Sequence, residues 1–194
     1  DDGAPFELCP RQLLKKVLRQ LDDLGYAARV GCEFEWFNFR ETPQSLVDKN
    51  FTRLQSLTPG MLGYSILRAS QNEEFLNDLM DSLRIFRVPL EGVHTETGPG
   101  VLEAAILNSE PLEAADRAVL FKSAVKEIGT KHGIIPTFMA RWNTDLPGCG
   151  GHIHQSLCTK DGRNIFYDAS APHKMSATFQ SFLAGQLKCL PDIL

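Results

Sequence analysis

The sequence predicts an α+β fold, with a mainly antiparallel, curved sheet and flanking helices. Three observations lead there: a long stretch with period-two alternation at 26–39, a pair of short strand-like runs around a Gly-Pro-Gly turn, and helical stretches between them without a βαβ rhythm.

The first helix is marked by Pro10 for its first turn, by Leu13, Leu14, Val17, Leu18, Leu21 and Leu24 at spacings of three and four, and by Gly25 for its end. In 26–39, Tyr26, Ala28, Val30, Cys32, Phe34 and Trp36 fall on one face, and Glu33 and Glu35 share the other. The pattern dissolves over 40–65, which reads as a surface loop long enough that it must cover something. Asn72 can cap a helix to about position 86, with Phe75, Leu76, Leu79, Met80 and Leu83 buried. EGVHTETGPGVLEAAIL reads as two strands. A second long helix over 110–131 is expected to turn Leu112, Ala115, Val119, Leu120, Ala124 and Ile128 inward, and a strand at 134–142 to follow it. After PGCGG at 147–151, His152, His154 and Ser156 alternate onto one face, and 174–190 is helical in pattern.

Composition bounds the function. With 43% apolar and 23% charged residues, a chain of 194 residues can bury a core. Twenty Lys and Arg against twenty-four Asp and Glu give a net charge of -4, which disfavours nucleic acid and anionic membranes as partners. Cys9, Cys32, Cys149, Cys158 and Cys189 are odd in number, scattered and without a CxxC pair, so reduced thiols and a cytoplasmic location are expected. No window approaches the roughly 20 apolar residues of a membrane span. The missing initiator Met and the ending LPDIL suggest a piece of a longer chain.

The chemistry concentrates in Glu33-x-Glu35, His94-x-Glu96, Glu103 and His152-x-His154. On a strand, residues i and i+2 point the same way about 6–7 Å apart, so a sheet can aim these groups at one space. Carboxylates with a few imidazoles suit Mg or Mn, and crowded glutamates repel unless cations sit among them. Each piece also has a plainer reading. A lone ExE is more often a solvated face, an HxH pair can hydrogen-bond within a core, His132 suits a helix end and His173 a polar loop. PGCGG fits neither the Walker pattern nor GxGxxG, but it implies a close backbone approach.

Taken in order, GCEFEWF, EGVHTETGPGVLE and PGCGGHIHQS resemble the catalytic domain of the glutamine synthetase family over essentially the whole chain. GPGVLEAA, LPGCGGHIHQSL and the helix beginning ADRAVLFK are most similar to its lengsin-like branch. The resemblance implies one divalent ion, Mg or Mn, on Glu35, Glu96 and Glu103, and a second on Glu33 and His152. It places Glu91, His154, Ser156 and Arg141 near ATP, and Gly148 and His94 near the glutamate substrate. The implied activity is ATP-dependent ligation of ammonia or an amine to the γ-carboxylate of glutamate through a γ-glutamyl phosphate, by a homo-oligomer. The implied domain content is the amino-terminal part of the catalytic domain, without the family's small amino-terminal domain and without the rest of the catalytic domain, so the piece alone is expected to be inactive. Arg141-Trp142 replaces the family's usual Lys-Pro, Cys149 a smaller residue, and Pro147 an Asn that helps bind the amino acid in many members. These departures favour the alternative of a non-catalytic structural or chaperone-like descendant that keeps the fold. A metal-dependent hydrolase using the same acids and imidazoles, without ATP, is a third reading.

Overall fold

A computed structural model describes residues 4–192. The first helix, α1, spans Pro10–Asp23 with proline in its first turn, and Gly25 turns the chain at φ 82° into strand β1, Tyr26–Phe39. Helices α2 (Pro43–Asp48), α3 (Ile66–Ser70) and α4 (Glu73–Ile85) follow, then strands β2 (Leu90–Thr95) and β3 (Val101–Ile106). The long helix α5 (Pro111–Lys131) leads to β4 (Ile135–Thr137), β5 (Gly151–Thr159) and α6 (Ala177–Cys189). The chain divides into two units. One holds the described residues up to 30, residues 110–112 and those from 155 onward; the other holds 31–109 and 113–154. Among the described residues no helix is long and apolar enough to cross a membrane.

The sheet is open, in the order β2-β3-β1-β4, with β5 also paired to β1. The β1–β3, β1–β4 and β2–β3 pairs are antiparallel, as the turn signals imply. In the β2–β3 hairpin Gly100 adopts φ 78°, and a β-carbon there would lie 2.5 Å from the Asn38 carbonyl oxygen, so only glycine fits. Asn38, fully buried, ties this corner: its amide donates to the Gly100 carbonyl at 3.0 Å, and its Oδ1 accepts from the Trp36 indole at 2.9 Å.

Alternation fails at the end of β1 because both faces are covered there. Trp36 packs on Phe121 and Phe138 on one side, while Phe37 and Phe39 join Val101, Leu54 and Trp142 on the other. Four consecutive residues, Trp36 to Phe39, are therefore buried.

Four expectations are corrected. The 40–65 segment is not a plain loop: a Thr42/Ser45 capping box starts α2, and the buried Glu41 carboxylate binds the Ser45 hydroxyl, the Lys49 ammonium and the Gln55 amide. On α5 the buried stripe is Ala114, Phe121, Val125 and Ile128, whereas Val119 and Leu120 face outward. The helix is apolar on two stripes, and the one carrying Phe121 wins because its ring meets both Phe34 and Trp36, at 5.9 and 5.6 Å. Met80 is likewise exposed on α4, and β4 stops at Thr137, after which Phe138 turns onto Phe121 of α5.

The two stripes of α5 differ measurably. In urea unfolding, Phe121→Ala is expected to cost about 3–5 kcal/mol, and Val119→Ala within about 0.5 kcal/mol; equal losses would contradict this packing.

Candidate functional site

Strand register, not sequence proximity, assembles the site, and every residue of it belongs to the unit formed by 31–109 and 113–154. His94 pairs with Glu103 across β2 and β3, and Glu103 pairs with Glu35 across β3 and β1, so the three form one row on one face. Glu33, two residues along β1, projects to the same side. Glu96 follows β2 at the hairpin, where its amide bonds the Val101 carbonyl.

Two clusters result. In the first, ligand atoms of His94, Glu96 and Glu103 lie within 4.8 Å of one another. The His94 Nδ1 sits 3.2 Å from the Thr95 carbonyl, which places its hydrogen there and leaves Nε2 facing Glu103 Oε2 at 3.4 Å. In the second, Glu33 Oε2 lies 3.1 Å from His152 Nδ1 and 2.9 Å from His154 Nε2. Of the five residues expected to ligate ions, Glu96 and Glu103 fall in the first cluster and Glu33 and His152 in the second. Glu35 belongs to neither triad; its Oε2 accepts from the Gly150 amide at 2.9 Å. His154, expected near the nucleotide, stands in the second triad, and His94, expected near the substrate, in the first.

The electrostatics follow from the crowding. Burial, reinforced by the Glu33 charge, pushes the Glu103 carboxyl up to about 7. A hydrogen bond from His154 holds Glu33 below the usual carboxylate range, and Glu33 in turn raises His152. Burial acts to raise Glu96 as well, but the Tyr64 hydroxyl and the Thr97 amide outweigh it and hold that carboxyl low. Even so, Glu96 Oε2 is buried without a hydrogen-bond partner.

Tyr64 is a site residue that sequence reasoning missed. Its ring stacks on His94 at 4.9 Å, and it is held there at φ 53° by its amide bond to the Thr95 carbonyl and by Gly63, where a β-carbon would lie 3.0 Å from the Thr97 nitrogen. The only available signal was the length of the 40–65 segment, which covers this cluster.

The remaining expected residues are spread more widely. Glu91, at a register shift of β2, lines a cleft of about 330 Å³ with Cys32, Glu33, Ile106, Asn108 and His154. Ser156 is half-buried on β5 and belongs to the other unit. Arg141 is exposed and donates to the Thr144 carbonyl at 2.7 Å. Gly148 packs so closely that a β-carbon would lie 2.5 Å from the Ala140 carbonyl oxygen.

Comparison with known proteins bears on this arrangement. The family described as glutamine synthetase, catalytic domain, matches residues 7–194. The chain is 53% identical over 194 residues to type-1 glutamine synthetase 2 of Dictyostelium discoideum, covering all of this chain and 37% of that protein. It is 35% identical over 192 residues to gamma-glutamylethanolamide synthetase GlnA4 of Streptomyces coelicolor, covering 99% of this chain and 41% of that one. A solved structure described as a GmaS/ADP complex superposes with a TM-score of 0.83 at 26% identity, over 96% of this chain and 42% of the other. The chain thus spans about two fifths of the length of the curated relatives it matches.

The clusters fix a pH dependence in chelator. Glu103, raised in the fold from 4.5 to about 7, costs nothing when protonated in both states and disfavours the fold increasingly as pH rises through that window. His152, raised above 6.5, contributes stability that is present below that value and lost as pH rises through its folded pKa. Glu33, lowered, acts with the opposite sign, but only below about 4.5. The melting temperature without divalent ions is expected to fall between about pH 5 and about pH 8, and Glu103→Gln to flatten that slope; a parent curve that rises over this range would contradict the charge crowding.

Proposed function

Because the chain belongs to the glutamine synthetase family, matching its catalytic domain, we propose that the whole protein joins ammonia or an amine to the γ-carboxylate of glutamate, using ATP and passing through a γ-glutamyl phosphate. The observation that carries this reading is the pair of acid and imidazole clusters side by side on one sheet face. The donor set fits two divalent ions, Mg or Mn: three carboxylates and three imidazoles in the two triads, a fourth carboxylate from Glu35 in the same row as Glu103, and no thiolates among the triads. The orphaned Glu96 oxygen and the raised Glu103 carboxyl are each a place where a cation would supply a fitting partner.

In this reading Glu96, Glu103 and Glu35 hold the ion nearest the amino acid, and Glu33 and His152 hold the one beside the nucleotide, with His154 close to both Glu33 and the cleft lined by Glu91. Ions held by these residues would supply Lewis-acid polarisation of the γ-phosphate and offset charge built up during in-line transfer. The chain's own contribution is orientation. The Thr95 carbonyl fixes the His94 tautomer, and the register holds Glu103 between His94 and Glu35. The Tyr64 ring stacks on His94 at 4.9 Å and steadies the imidazole from one side, while itself remaining largely exposed. A relative that makes γ-glutamylethanolamide supports an amine as acceptor, and the ADP-bound neighbour supports the nucleotide. Assembly into a homo-oligomer and a cytoplasmic location belong to the same proposal.

One observation favours a non-catalytic, lengsin-like descendant: one N–H of the exposed Arg141 guanidinium turns to the Thr144 carbonyl of its own loop, at the position where the family usually has lysine. ADP release separates the two. The full-length protein with Mg or Mn, glutamate and a panel of amines is expected to release ADP, and Glu103→Gln to lower kcat at least about a hundredfold. No ADP release with any amine of the panel under those conditions would leave the non-catalytic reading.

A further inference from the structure

We propose that Gly150 is a positioning residue for Glu35, and that the absence of a side chain at this position is what allows the Glu35 carboxylate to present one oxygen to a cation; this rests on the metal-dependent reading above. Gly150 grips Glu35 at two points. Its carbonyl accepts from the Glu35 backbone amide at 3.1 Å, and its own amide donates to Glu35 Oε2 at 2.9 Å. With Oε2 committed to an N–H donor, Oε1 is the oxygen left for an ion, which is the division of labour that outer hydrogen bonds impose on ligating carboxylates.

The space around Gly150 explains why no other residue serves. A β-carbon there would lie 2.6 Å from Glu35 Oε1 and 3.2 Å from its Cδ, so even a methyl group must displace the carboxylate. At the adjacent glycine, Gly151, the nearest atom to a β-carbon is 3.7 Å away, which is ordinary contact. Neither position has a positive φ, so the difference between them is one of contact with Glu35 and not of backbone conformation.

The loop that carries Gly150 is fixed from below. Cys149 donates to the Ala140 carbonyl at 2.8 Å, Gly148 presses against the same carbonyl, and Trp142 packs edge-on to Phe39 and Phe37 at 4.8 and 5.8 Å. Phe37 and Phe39 continue the strand that bears Glu35, so one core sets both the glutamate and the amide that holds it.

The test is Mn2+ binding to the full-length protein, followed by the electron paramagnetic resonance signal of the free ion, for the parent, Gly150→Ala, Gly151→Ala and Glu35→Gln. Gly150→Ala is expected to weaken one class of sites about 10- to 100-fold, as Glu35→Gln does, with Gly151→Ala binding like the parent. Parent-like binding by Gly150→Ala, or equal weakening by Gly151→Ala, overturns the proposal and leaves the metal reading standing. A parent that binds no Mn2+ defeats the metal reading itself. If Gly150→Ala fails to fold, the double variant Glu35→Ala/Gly150→Ala is expected to fold, because the group that the methyl meets is gone; a double variant that also fails to fold would overturn the proposal.

Discussion

The structure is organised around a surplus of like charge that the sheet register creates and that no group among the described residues fully neutralises. Glu103 is nearly buried between the charges of Glu33 and Glu35, with only the imidazole of His94 at hand. Two unit charges about 4 Å apart near a protein surface interact by about 4 kcal/mol, which is a large share of the stability of an ordinary domain. A folded chain tolerates this arrangement by protonating a carboxylate or by binding cations. The first response shows in the raised Glu103, and the chemistry of the donor set points to the second.

The rest of the catalytic-domain unit holds that tension in place. Asn38 knots the hairpin to β1, Gly100 allows the approach, and Thr58 caps the turn from the loop side by accepting the Gly100 amide. The aromatic cluster of Phe34, Trp36, Phe121 and Phe138 fixes the other face of the same strand, so β1 has little freedom to turn its glutamates away. Stability of the core and geometry of the site are thus carried by one strand, with alternate residues serving each.

Much of this was legible beforehand, for definite reasons. The period-two run at 26–39 placed Glu33 and Glu35 together, and the glycines around Pro99 announced the hairpin that brings His94 beside Glu103. Periodicity could not choose between the two apolar stripes of α5, because the choice depends on which stripe meets Phe34 and Trp36, residues about 90 positions away in the chain. Tyr64 was invisible for a similar reason. Its role comes from a left-handed backbone angle and a contact with His94, and neither leaves a local pattern. The orientation of the Glu35 carboxylate involves the amide of a glycine 115 positions away, and PGCGG hinted only that some backbone comes close.

A crystal of the protein grown or soaked with Mn2+ and measured for anomalous scattering tests the cation claim most directly. Two peaks are expected on the sheet face, one touching Glu35, Glu96 and Glu103 and the other touching Glu33 and His152. Strong peaks elsewhere with none at these carboxylates, or glutamate side chains turned out to bulk water, would contradict it.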